Sequence, residues 1–80
     1  MDIARLHNLA ISPTGFVFDP VTGNSFNTNE TGVFIINHFR SGENPAQVAH
    51  SLADMYAVDV DTAEQDVLQL IEILRSHYLL

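Results

Sequence analysis

Apolar and polar positions change rhythm at Asn29: short alternating stretches precede it, and longer stretches with helical spacing follow it. Ile3, Leu9 and Ile11 fall on one side of a period of two, and Ala4, Leu6 and Ala10 on the other, which predicts a strand over residues 3–11. Ser12-Pro13-Thr14-Gly15 places proline where a type I turn takes a preset φ and glycine at its exit, so the chain reverses. A second strand follows over residues 15–19, where Phe16 and Phe18 share one face and are expected in the core. Asp19-Pro20-Val21-Thr22-Gly23-Asn24 is another dense turn signal, and Ser25-Phe26-Asn27-Thr28 is long enough for a short third strand over residues 25–28. Beyond it, Asn29 is an N-cap residue with Glu30 in the first turn, and Val33, Phe34, Ile35, Ile36 and Phe39 recur at helical spacing over residues 30–40.

The next two starts are signalled as clearly. Asn44-Pro45-Ala46-Gln47 combines an N-cap, a proline at the first helical position and a glutamine placed to complete a capping box, opening a helix over residues 45–55. Val58-Asp59-Val60 reads as a tight interhelix turn. Asp61-Thr62-Ala63-Glu64 repeats the capping logic, and Ala63, Val67, Leu70, Ile71, Leu74 and Tyr78 hold one apolar face on a last helix over residues 62–77. No internal repeat, linker or low-complexity tract interrupts the order. The fold class is therefore α+β, a three-stranded antiparallel meander followed by three helices, winged-helix-like, in one domain over residues 1–80.

Composition narrows the function classes. Apolar residues make up 46% of the chain without any run near the roughly 20 needed to span a bilayer, so the reading is a soluble protein. The start Met1-Asp2-Ile3-Ala4-Arg5 lacks the basic and apolar blocks of a secretory signal, and a cytoplasmic location is expected. There is no cysteine, hence no disulfide framework, thiolate nucleophile or thiolate metal site. The net charge of −7 sets ten carboxylates against Arg5, Arg40 and Arg75 and repels phosphate backbones and anionic lipid. That charge either serves solubility or steers a basic partner.

Candidate chemistry is sparse. His7, His38, His50 and His77 sit on separate elements without the close pairing of helical metal sites. No serine has a glycine-flanked elbow, and the glycines form no phosphate cradle. Asp59, Asp61, Glu64 and Asp66 crowd a helix start, where the macrodipole and solvent account for them. No enzymatic activity, metal or cofactor is expected. Two helices joined by a short turn after a small sheet also describe a winged-helix DNA-binding or regulatory protein. The helix that would enter the groove carries Glu64, Gln65, Asp66, Gln69 and Glu72 before its arginine, Arg75, and such a helix is repelled by DNA.

The meander leaves one side of its third strand unpaired, and an extended peptide can add there, its main chain supplying affinity and side-chain pockets selectivity. The same edge allows two copies of the chain to pair as a homodimer. On the last helix, Leu68 lies on one flank and Ile73 on the other, so either flank can line a groove or pack on neighbouring helices.

Asn29-Glu30-Thr31-Gly32, the apolar helix after it, and Gly42 resemble the PqqD family of pyrroloquinoline quinone biosynthesis. Asn44-Pro45-Ala46-Gln47-Val48-Ala49, Leu52-Ala53, Tyr56, Val58-Asp59, Ala63-Glu64, Asp66-Val67 and Leu79-Leu80 continue the likeness, which spans residues 15–80. The resemblance implies a peptide chaperone, a recognition element for ribosomally made and post-translationally modified peptides. It implies a precursor's leader peptide added beside Ser25, Phe26, Asn27 and Thr28 and lying against Asp66, Leu68, Leu70 and Ile73. It further implies a partner modifying enzyme, often of the radical S-adenosylmethionine type, that acts on the rest of the precursor. Phe26 and Leu70 fit the core as readily as the groove. The chain departs from the family pattern at Thr28, where a leucine-like residue is usual, at Ile36, where tryptophan is frequent, and at Tyr78, where a glycine commonly ends the last helix. The remaining alternative is a small interaction subunit without any leader peptide.

Overall fold

The computed structural model describes residues 3–79, and the expectations that include Met1, Asp2 and Leu80 lie outside the described residues. The order is α1 (Ile3–His7), β1 (Ala10–Ile11), β2 (Phe16–Phe18), β3 (Ser25–Asn27), α2 (Glu30–Arg40), α3 (Pro45–Tyr56) and α4 (Val60–Ser76). The strands form an antiparallel meander in the order β1-β2-β3. Val17 pairs with Ile11 on one side and with Phe26 on the other, so these three side chains share the face turned to the helices.

Two expectations fail near the N-terminus. The strand placed over residues 3–11 shrinks to Ala10–Ile11, and Ile3–His7 is a helix packed on α2. The physical reason is that Leu6 and Leu9, both buried, lie three residues apart. Helical and turn geometry keeps that spacing on one side, whereas strict alternation would separate them. Nor do Phe16 and Phe18 form core: Phe16 is 44% exposed and Phe18 half-buried, while Val17 between them is completely buried. Alternation pairs the two rings correctly, but the helical layer covers the opposite face of the sheet.

Local capping explains the helix starts. Asn29 accepts from the Gly32 N–H at 2.8 Å, and Asn44 and Gln47 form a reciprocal capping box ahead of Pro45. α4 starts before residue 62, because Asp59 rather than Asp61 is its N-cap and accepts from the Thr62 N–H at 2.8 Å. The turn ahead of it is closed by Ala57 in the left-handed conformation, φ 54°. α4 ends at Ser76. There Tyr78 N–H donates to the Arg75 carbonyl and Leu79 N–H to the Leu74 carbonyl, with Tyr78 at φ 60°, which is a Schellman closure. Leu79 returns to the core at this point, together with Leu6, Leu9, Ile35, Ile36, Phe39, Val48, Leu52, Val67, Leu70, Ile71 and Leu74.

One buried carboxylate supports the scaffold. Asp19, 4% exposed, accepts from the Val21 N–H and the Thr22 hydroxyl and lies 3.9 Å from Arg5 of α1. Burial pushes its pKa up, but those hydrogen bonds and the guanidinium outweigh burial and leave it below the ordinary carboxylate range. Among the described residues, no helix is long and apolar enough to cross a membrane.

Candidate peptide-binding edge

Antiparallel pairing settles which backbone groups of β3 are free. Thr28 N–H donates to the Gly15 carbonyl at 2.7 Å, and Asp19 N–H donates to the Asn24 carbonyl at 2.8 Å. Hydrogen-bonded pairs alternate along the ladder, so Phe26, midway between these two positions, also directs its N–H and C=O to β2. Ser25 and Asn27 therefore turn their N–H and C=O outward. No strand pairs with that edge among the described residues.

The inward side of the edge opens on a cleft of about 140 Å³ lined by Thr28, Thr31, Gly32, Asp66, Gln69 and Ile73, with Ile35 and Leu70 at its apolar floor. Three elements converge here because two glycines let them. Gly15, at φ 98°, and Gly32 both back onto Thr28, and a Cβ at either position would stand 2.9 Å from a Thr28 carbon. The end of β3 is thus held between the turn before β2 and the first turn of α2. The Phe26 ring stacks on the imidazole of His77 at 4.6 Å between centroids, joining the edge strand to the end of α4.

The expected site residues divide as follows. Ser25, Phe26, Asn27 and Thr28 form the edge and its continuation, with β3 itself ending at Asn27. Thr28, Asp66, Leu70 and Ile73 meet in the cleft, and Leu70 is almost wholly buried beneath it. Leu68, 60% exposed, stands apart from them on the opposite flank of α4, beside Pro45, Ala46 and Glu64. Asn29, Thr31, Gly32, Ile35 and Gln69 line the cleft without having been expected among the peptide-binding residues. The spacing of Gln69 between Asp66 and Ile73 on one helical flank is the signal that could have found it.

Other polar clusters have structural explanations. Glu43 bonds the His38 Nδ1 and accepts from the Ser51 hydroxyl at 2.9 Å, tying the turn between α2 and α3. Because Ser51 bonds the carboxylate and not the imidazole, this group does not assemble a base-activated nucleophile. Among the described residues, no three histidine, aspartate or glutamate side chains converge as metal ligands.

No curated protein matches the chain significantly. A solved structure described as lasso peptide synthetase B1 complexed with the leader peptide aligns with a TM-score of 0.73 and 28% identity, covering 86% of this chain and 82% of that one. The family model described as coenzyme PQQ synthesis protein D matches residues 15–80, and the chain belongs to the PqqD family.

Proposed function

We propose that the chain is a non-catalytic recognition element that holds the leader segment of a ribosomally made precursor peptide by strand addition along β3 and presents it to a separate modifying enzyme. The observation that carries this reading is the free backbone of Ser25 and Asn27 beside the cleft between β3, α2 and α4. Membership of the PqqD family supports it, as does the likeness to a lasso peptide synthetase chain complexed with a leader peptide. Ser25 and Asn27 pair with the peptide main chain. Thr28, Asp66, Leu70 and Ile73 of the cleft seat its side chains together with Phe26, which stacks on His77 beside it. Leu68 lies outside this groove, on a flank open to another partner.

The family resemblance favours a radical S-adenosylmethionine enzyme as the partner and a cytoplasmic location, where precursor peptides are made. Two copies pairing through β3 would compete with the peptide for the same groups. The winged-helix DNA reading is disfavoured: α4 exposes Asp61, Glu64 and Glu72, and its Arg75 is already engaged with Glu72 at 3.2 Å.

The test is a titration of isotope-labelled protein with a candidate precursor peptide. Backbone amide shifts should concentrate at residues 25–28 and on the Asp66–Ile73 flank of α4. Shifts confined to other surfaces would overturn the assignment.

A further inference from the structure

The register of β3 makes the cleft selective for a particular peptide pattern. In an added strand, residues opposite Ser25 and Asn27 point their side chains to the outer face, the face of Phe16 and Phe18. Residues opposite Phe26 and Thr28 point inward. The inward positions are two residues apart whichever way the peptide runs. One of them lies over Phe26 and its stacked His77, and the other enters the cleft between Thr28 and α4.

Those two seats differ in chemistry. The first is aromatic, made by Phe26 and the His77 ring, with the exposed Ile73 one helical turn before His77. The second has an apolar floor of Ile35 and Leu70, with Thr28, Thr31 and Gln69 around it and a single charged side chain, Asp66, among its described lining residues. Asp66 forms no ion pair among the described residues, and Arg75, nine residues further along α4 and on its opposite side, pairs with Glu72. The first turn of α2 contributes roughly half a positive charge through its dipole. Asp66 brings a carboxylate to the cleft, whereas the Glu30 carboxylate of that turn accepts from the Tyr56 hydroxyl of α3 at 3.2 Å and is not among the cleft's described lining residues. The field at the cleft is therefore negative, in a protein whose net charge is −7.

Building on the strand-addition reading, we propose that the cleft selects a lysine or arginine side chain, whose stem lies on Leu70 and Ile73 and whose cation pairs with Asp66, with an apolar residue two positions away over Phe26. A long cationic side chain matches an apolar floor with a carboxylate at its rim.

The test uses a set of synthetic extended peptides in which one residue is lysine, arginine, norleucine or glutamate and the residue two positions away is leucine. Binding is followed by fluorescence anisotropy and by the amide shifts of residues 25–28. Lysine and arginine should bind about three- to tenfold tighter than norleucine and glutamate at roughly 0.1 M salt, and the preference should shrink near 1 M. Asp66→Asn should remove the preference, Asp66→Lys should reverse it towards glutamate, and Gln69→Glu should strengthen it. Peptides that shift residues 25–28 without discriminating lysine from glutamate, or that discriminate equally with Asp66→Asn, would overturn the charge assignment and leave strand addition standing. Failure of every peptide to shift that edge would overturn both.

Discussion

Gly32 backs onto Thr28 so closely that a Cβ at position 32 would stand 2.9 Å from the Thr28 Cβ and inside the contact distance of its hydroxyl. The edge strand and the first turn of α2 are therefore one unit. Alanine improves helix propensity over glycine by about 1 kcal/mol, but overpacking of this kind costs about 1–3 kcal/mol. Gly32→Ala should lower stability in urea denaturation. Adding Thr28→Ala should recover part of the loss, because the hydroxyl contact disappears while the Cβ contact remains.

Proline at Asn27 removes an N–H that faces the free edge, whereas proline at Phe26 removes one that bonds β2. Asn27→Pro should leave the thermal midpoint nearly unchanged and weaken peptide binding about tenfold, the order expected for one lost hydrogen bond and an obstructed edge. Phe26→Pro should destabilise the sheet itself. Calorimetry and anisotropy together separate the two.

Ile73 and Leu68 are both exposed, on opposite flanks of α4. Ile73→Asn should cut peptide affinity by about an order of magnitude, since it places an unpaired polar group against an apolar contact. Leu68→Asn should leave peptide affinity unchanged. Equal effects from the two substitutions would contradict the placement of the groove.

Tyr78 and Ala57 adopt left-handed backbone conformations that glycine adopts without steric cost. Tyr78 is 76% exposed and loses little packing on truncation. Tyr78→Gly and Ala57→Gly should each stabilise the protein by about 0.5–1 kcal/mol, read from the urea midpoint.

Asp19 and Glu43 each contribute stability that acid removes. Burial raises both pKa values, but for Glu43 hydrogen bonds from His38 and Ser51 outweigh it, and both groups titrate below their ordinary values in the folded state. A lowered folded pKa contributes stability above the unfolded value and loses it as pH falls through the folded one. The thermal midpoint should fall as pH drops through and below the ordinary carboxylate range. Asp19→Asn should flatten that slope.

Much of this architecture is legible in the sequence because its signals are local. Asn29, Asn44 and Pro45 mark helix starts through contacts that reach only three residues along the chain. The helix at Ile3–His7 is not legible, because five residues offer less than two turns of periodicity and two leucines three apart can be read either way. Alternation puts Phe16 and Phe18 together, but which face lies inward depends on where α2 and α4 settle. Leu68 and Ile73 raise the same difficulty: each flanks the buried stripe, and tertiary packing decides which flank meets the sheet. Gly32 becomes part of the site only through its approach to Thr28, a contact without any pattern along the chain.

β3 is three residues long, and two of them, Ser25 and Asn27, offer one N–H and one C=O each to an incoming chain. At a net of about 1 kcal/mol per hydrogen bond, such pairing offsets only part of the translational and rotational freedom the peptide gives up. On the strand-addition reading, backbone pairing would set the register, while the seats over Phe26 and Asp66 would set residence time. A cargo held mainly by side-chain seats in this way would exchange without any energy-consuming release step.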